Sequence, residues 1–317
     1  MTDSAPLPAT VLTGYLGAGK TTLLNRILSE PHGLRIAVVV NEFGEVGVDD
    51  ALVIGAREEV VSFANGCLCC TFKGDLLETL EKLLRKRGKL DHVIVETSGV
   101  ASPGPIVQSF HATPELRATV RLDGVLTVVD AKHVEQHLEV SPEVREQIAL
   151  ADRLLLSKVD LVDAARVDAL TAQLTAMNPL ARVQPAVLGD VPVSELLALG
   201  GFDPARLDTI PAGDAAHEQG VTSVGFDEAF ELDPETTTHW LRFLVSRRGQ
   251  DLYRLKGVLA MRGQPKRFVV QGVHQLFEAK PDREWRDDEE RRCKLVFIGR
   301  GLEEDELRRG LEACRAR

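Results

Sequence analysis

A glycine-rich stretch near the start of the sequence has residue types and spacing that suit phosphate chemistry. Residues 14–22 read Gly-Tyr-Leu-Gly-Ala-Gly-Lys-Thr-Thr and fit the pattern G-x-x-x-x-G-K-[ST]. Glycines permit a tight bend, so backbone N–H groups can surround phosphate oxygens. Lys20 is predicted to reach the β- and γ-phosphates, the Thr21 hydroxyl to hold Mg²⁺, and Thr22 to donate to the α-phosphate. The nucleotide-binding residues predicted here are Gly14, Gly17, Ala18, Gly19, Lys20, Thr21 and Thr22.

Two acidic segments follow at positions where a nucleotide switch needs them. Residues 41–50 read NEFGEVGVDD, a glycine-punctuated loop in which Asp49 or Asp50 would join the magnesium shell, with Asp50 preferred. Residues 96–99 read Glu-Thr-Ser-Gly. Glu96 is predicted to bind Mg²⁺ through water or to orient the attacking water, and the Gly99 N–H to contact the γ-phosphate. The predicted catalytic group is therefore Lys20, Thr21, Glu96 and Asp50.

A third motif concerns the base. Residues 157–160 read Ser-Lys-Val-Asp, which is the guanine-binding pattern N-K-x-D with serine in first position. Asp160 would accept hydrogen bonds from two guanine donors that adenine lacks, and the Lys158 stem would pack on the base. Ser157 offers less bonding than asparagine. The sequence therefore predicts GTP, although the preference over ATP is open.

Three of the five cysteines, Cys67, Cys69 and Cys70, fall within four positions. Thiolates are soft ligands that suit Zn²⁺ or Cu⁺. Closed structural zinc usually takes four ligands, so a fourth is needed from Glu42, Glu45, a histidine, water or a partner. A buried structural cluster and a redox sensor are the alternatives. His133 and His137, spaced i and i+4, form a further possible ligand pair.

The elements that must position these residues alternate between strand and helix over residues 9–190. This pattern predicts an α/β fold, a P-loop parallel sheet with helices on both faces, whose ligands bind at the carboxyl ends of strands. The segment 201–219 is rich in Gly, Pro and Asp and reads as a linker between domains at 1–200 and 220–317. The second domain is predicted to be a smaller α+β unit, with one strand over 268–277 and a charged loop over 282–292.

Composition limits the partners. The 317 residues carry a net charge of −10, which argues against a nucleic-acid-binding surface. No apolar stretch approaches the ~20 residues that span a bilayer, and the first residues lack a secretion signal, so a cytoplasmic location is expected. In that compartment the cysteines are not expected to form a disulfide framework.

The ordered set GYLGAGKTTLLNRIL, NEFGEVGVDD, NGCLCC, ETSGVASPGPI, DGVLTVVDA and SKVD resembles the CobW-type P-loop GTPases. These are metallochaperones related to the nickel-insertion GTPases of urease and hydrogenase maturation. The segments KGVL and QGVHQLFE resemble that family's second domain. The resemblance implies GTP hydrolysis coupled to delivery of a transition metal, most often zinc, and matches Cys67, Cys69 and Cys70 to the family's C-x-C-C motif. This chain lacks the histidine-rich tract that many members carry.

The leading functional hypothesis is a GTPase with slow intrinsic turnover, since no arginine finger is identifiable, that passes zinc to a client metalloprotein. A homodimer is possible. The alternatives are a small-molecule kinase or nucleotidyl transferase, a nucleotide-gated scaffold with structural zinc, and a thiol redox switch.

Overall fold

The computed structural model describes residues 6–42, 60–64, 90–112, 114–201, 203–210, 213–215 and 220–317. The chain divides into two compact units. The first contains the residues up to 201 apart from 173–180, and the second contains 173–180 and the residues from 202 onward. No helix in these described ranges is both long enough and apolar enough to cross a bilayer.

The first unit contains a seven-stranded sheet in which every neighbouring pair of strands is parallel. The strand order is β3-β2-β4-β1-β5-β6-β7, so the strand before the glycine-rich loop is central. The predicted parallel sheet is confirmed. Its strands are β1 (Leu7–Gly14), β2 (Ile36–Glu42), β3 (Val60–Ala64), β4 (His92–Thr97), β5 (Val120–Asp130), β6 (Arg153–Ser157) and β7 (Arg182–Pro185).

Helices flank this sheet. The first of them buries Leu23, Leu24 and Ile27 in a cluster that includes Leu12 and Leu126 of the sheet, which fixes the helix beside the central strand. The helices are α1 (Lys20–Ser29), α2 (Gly104–Ala112), α3 (Pro114–Thr119), α4 (Val134–Val140), α5 (Pro142–Leu150), α6 (Ala164–Met177) and α7 (Val193–Leu197), with a 3-10 turn at Val159–Leu161. The helical spacing of Leu76, Leu77, Leu80, Leu83 and Leu84 predicts a helix over about residues 74–87, and that segment lies outside the described residues.

His92, at the amino end of β4, is a buried histidine. Its Nε2 lies 2.9 Å from Thr10 Oγ1, and the residue is 3 % exposed. Burial lowers the pKa of His92 to about 4, while Asp123 raises it and Arg121 lowers it to smaller extents. The folded protein therefore holds a neutral histidine that the unfolded chain protonates near its ordinary pKa.

Stability is accordingly expected to fall as the pH drops from about 6.5 to about 4, because the unfolded state binds the extra proton over that range. The contribution of His92 to this loss is about 3 kcal/mol at pH 4. His92→Gln cannot protonate and should show a shallower decline. Urea unfolding at pH 7, 5.5 and 4 tests this, followed by circular dichroism because the two tryptophans, Trp240 and Trp285, are both in the second unit. Equal declines in parent and variant would contradict the expectation.

The second unit is a six-stranded sheet, ordered β12-β11-β10-β13-β9-β8, whose strands pair antiparallel. Asp233 begins its longer helix by accepting a hydrogen bond from the Thr236 N–H. Cys293 and Cys314 are buried in its apolar core. The elements are β8 (Gly213–Ala215), β9 (Thr222–Glu228), α8 (Pro234–Arg248), β10 (Leu252–Leu259), β11 (Lys266–Val273), β12 (Leu276–Glu284), β13 (Cys293–Gly299) and α9 (Glu304–Ala313).

Two details differ from the sequence-based expectation. The single strand predicted over 268–277 is wrong, because the chain turns at His274 and continues as β12, which enters the predicted loop at 282–292. His274 adopts φ 51°, a conformation that Gly, Asn or Asp usually occupies, and none of these residue types marks the turn here. The predicted linker segment includes a 3-10 helix at Pro204–Thr209 and β8, which pairs with β9.

Candidate functional site

The glycine-rich loop joins β1 to α1 with the backbone that its glycines permit. Gly14, Gly17 and Gly19 have φ of 145°, 72° and 106°. A Cβ at Gly14 would lie 2.3 Å from the Val128 carbonyl oxygen, so that position also requires a close backbone approach. Gly19 caps α1 without any side-chain hydrogen bond, which leaves the first helical N–H groups able to bind an anion.

The Lys20 side chain extends back along this loop. Its Nζ donates to the Gly14 carbonyl at 2.8 Å and to the Tyr15 carbonyl at 3.3 Å. These bonds hold the ammonium group beside the loop, where it can engage phosphate oxygens. Thr21 and Thr22 follow in the first turn of α1, where Thr21 is half-buried and Thr22 is exposed.

The segment after β4 lies against the glycine-rich loop. The Thr97 hydroxyl donates to Thr13 Oγ1 at 2.7 Å, between adjacent strands. A Cβ at Gly99 would lie only 2.7 Å from the Leu16 backbone nitrogen, so a larger residue would displace one of the two loops. Glu96 lies on β4, directly opposite Leu12 of the neighbouring β1, and is 5 % exposed. The predicted γ-phosphate segment and the phosphate loop are therefore in contact.

The base motif is tied to the same loop through its unusual first residue. The Ser157 hydroxyl lies 2.7 Å from the Ala18 carbonyl oxygen and 3.1 Å from that of Val129, and can donate to either. Ser157 therefore braces the phosphate loop against the end of β6. Lys158 follows at φ 58°, and Asp160 is exposed in the next 3-10 turn.

Three further contacts at this edge were not predicted from the sequence. The Gln147 side-chain amide, from α5, donates to the Gly99 and Ala101 carbonyls at 3.1 Å each. Arg26 pairs with Asp190 at 2.8 Å, which ties α1 to the loop after β7. Asp130 binds Lys158 at 2.7 Å. Isolated Gln, Arg and Asp residues carry no spacing signal that marks such contacts.

The metal motif is only partly within the described residues. Glu42 is the last residue of β2, whereas Glu45, Asp50, Cys67, Cys69 and Cys70 lie outside the described part of the chain. Glu42 is paired with Ala64, the last residue of β3, and Cys67 follows three residues later. Because parallel strands end at the same edge of a sheet, Glu42 and the carboxyl end of β3 lie together at that edge.

The possible histidine ligand pair has other contacts. His133 Nδ1 lies 2.9 Å from Asp130 Oδ2, and the His137 ring packs 4.6 Å from that of Tyr15. Within the ranges that the structure describes, no group of three His, Cys, Asp or Glu side chains is arranged to hold a metal ion.

A parallel sheet with a glycine loop after its central strand, an ammonium group on that loop and a base motif two strands away defines a P-loop nucleotide-binding protein. Residues 8–185 match the model of the CobW/HypB/UreG nucleotide-binding domain, and residues 221–315 match that of the cobalamin synthesis protein cobW C-terminal domain. The chain therefore belongs to the CobW/HypB/UreG family, and the resemblance inferred from its motifs is confirmed.

Two named relatives match over nearly their whole length. The zinc chaperone YjiA of Escherichia coli is 35 % identical over 98 % of this chain and 99 % of its own. The zinc chaperone CobW of Pseudomonas aeruginosa is 36 % identical over 96 % and 90 % respectively. The crystal structure of Zn(II)-bound YjiA GTPase superposes with a TM-score of 0.81, at 32 % identity, covering 99 % of this chain and 100 % of that one. A Zn(II)-bound triple mutant of YjiA, with one glutamate and two cysteines replaced by alanine, also has a TM-score of 0.81, at 34 % identity over the same shares of the two chains.

Proposed function

We propose that this protein is a GTP-hydrolysing zinc chaperone that transfers its metal to a client metalloprotein. One observation carries the proposal: the phosphate loop, the segment containing Gly99 and the chain that leads into Cys67 all leave the same edge of one parallel sheet. The relatives named as zinc chaperones support zinc as the metal. The need for free thiolates supports a reducing, cytoplasmic location.

On the nucleotide side, the chain's contribution is positioning and charge. Lys20 would exchange its two carbonyl contacts for phosphate oxygens, and Gly99 would offer its N–H to the γ-phosphate. Asp160 would accept from the guanine edge. Hydrolysis of this kind depends on placement and electrostatic stabilisation, so turnover is expected to be slow without a partner.

Magnesium fits the residues at this site. Mg²⁺ prefers oxygen ligands, and the Thr21 hydroxyl and Glu96 carboxylate are contributed by the first turn of α1 and the end of β4. Thr21 and either Asp50 or Glu96 would hold the ion. When bound, it neutralises charge on the β- and γ-phosphate oxygens.

On the metal side, Cys67, Cys69 and Cys70 would bind zinc with Glu42 or Glu45 completing the set. Three thiolates and a carboxylate form a site that an incoming ligand from a client can open, because the carboxylate is the harder and more exchangeable donor. Phosphate state would change zinc affinity because the acidic loop follows β2, which lies beside β4, and the cysteine motif follows β3, which pairs with β2.

The coupling is tested by measuring zinc affinity with a non-hydrolysable GTP analogue and with GDP. A coupling free energy of about 1–3 kcal/mol would change the affinity about 5- to 150-fold between the two states. Lys20→Ala serves as the control, since a variant that does not bind the triphosphate should give one affinity in both conditions. Equal affinities in the parent, with zinc that resists chelators, would instead favour a scaffold with structural zinc.

A further inference from the structure

Asp130, at the end of β5, is a buried carboxylate with three donors directed at it. Its side chain is 2 % exposed. Oδ1 accepts from the Lys132 N–H at 2.9 Å, while Oδ2 lies 2.9 Å from His133 Nδ1 and accepts from Lys158 Nζ at 2.7 Å. Although burial opposes its charge, these contacts hold the pKa of Asp130 below its ordinary value, so the group is an anion at neutral pH.

The Lys158 that this carboxylate holds has an uncommon backbone conformation. Its φ of 58° lies in the left-handed region that non-glycine residues seldom adopt, so surrounding contacts must maintain it. Lys158 caps the 3-10 turn at Val159–Leu161, and its carbonyl accepts from the Leu161 N–H at 3.1 Å. Asp160 belongs to that turn, so whatever fixes Lys158 also fixes Asp160.

The backbone places Asp130 where it can perform this role. Asp130 is directly opposite Ser157 in the pairing of β5 with β6. The Ala131 N–H donates to the Ser157 carbonyl at 3.0 Å. The carboxylate therefore projects from a fixed point beside the base motif, while Ser157 is bound to the phosphate loop on its other side.

We infer that Asp130 is a positioning residue for the guanine base. It holds the Lys158 side chain extended and the 158–161 turn in place before nucleotide arrives, so that the lysine stem meets the base plane and Asp160 meets its edge. The inference rests on the proposed assignment of residues 157–160 as the base motif. Without the anion, a long lysine side chain must be ordered during binding, and base affinity is lost.

Asp130→Asn keeps the shape and an acceptor oxygen but removes the charge. We expect the dissociation constant for GDP to rise about tenfold. The affinity for inorganic tripolyphosphate, which engages the phosphate loop alone, should be unchanged. In turnover, KM for GTP should rise while kcat stays near that of the parent. Equal weakening of GDP and tripolyphosphate would mean that Asp130 maintains the fold as a whole, and would overturn the inference.

A double-mutant cycle tests whether Asp130 acts through Lys158. Lys158→Met retains an unbranched apolar stem without the ammonium group, so Asp130→Asn should have no further effect on GDP affinity in that background. Additive losses would overturn the inference.

Asp160→Ala distinguishes a failure of the base-motif assignment from a failure of the role inferred for Asp130. If that variant binds GDP as tightly as the parent does, the base-motif assignment fails and the inference with it. If it weakens GDP while Asp130→Asn does not, only the inference fails.

Discussion

Replacing Lys20 by alanine is expected to reduce GTP hydrolysis by at least about a hundredfold, the cost of removing one preorganised charge from a phosphate site. Lys20 is held over the loop by the Gly14 and Tyr15 carbonyls, and residues 14–19 contain no other lysine or arginine. The measurement is release of phosphate at saturating GTP, together with GDP affinity to separate binding from turnover.

A matched control is Lys266→Ala, which removes an exposed lysine from β11 in the second unit. That variant should hydrolyse GTP at the parental rate, and both variants should keep the parental circular dichroism spectrum. A Lys20→Ala protein that is folded and retains most of its turnover would show that this loop is not the phosphate site.

The parts of the fold that could be predicted are those in which a local pattern and its physical cause coincide. β1 and α1 follow from an apolar run, a glycine loop and the helical spacing of Leu23, Leu24 and Ile27. The family resemblance was equally readable, because its motifs occur in a fixed order. The same motif identifies Gly14 by its residue type, and its φ of 145° is a conformation that favours glycine.

The contacts that could not be predicted depend on distant segments. In the sequence, Ser157 is a replacement for asparagine that offers less hydrogen bonding. In the structure, its hydroxyl lies within hydrogen-bonding distance of the carbonyl of Ala18, 139 positions away. Gln147 reaches Gly99 across 48 positions, and only the folded sheet brings them together. The turn at His274 was missed for another reason: its left-handed backbone is imposed by the hairpin rather than by a turn-forming residue.

The second prediction with a large expected effect concerns zinc binding by the cysteine motif. Replacing Cys67, Cys69 and Cys70 by alanine should weaken the tightest zinc binding by more than about a hundredfold, since even outer contacts of metal sites are worth 10- to 100-fold. The remaining thiols cannot take over. Burial raises the pKa of Cys293 to about 12 and that of Cys314 to about 11, so neither supplies a thiolate at neutral pH.

The measurement must separate this site from adventitious ones, because a YjiA variant without two cysteines and a glutamate still binds Zn(II) in the crystal. Competition with a chelator at substoichiometric zinc reports only the tightest site, and Co²⁺ substitution adds a sulfur-to-metal charge-transfer band that carboxylates and histidines cannot produce. The triple variant should lose both the tight site and the band, whereas Cys293→Ala should keep both. If the triple variant competes for zinc as strongly as the parent does, the three cysteines do not bind the transferred zinc. The coupling proposed between the phosphate loop and the cysteine motif would then have no metal to act on.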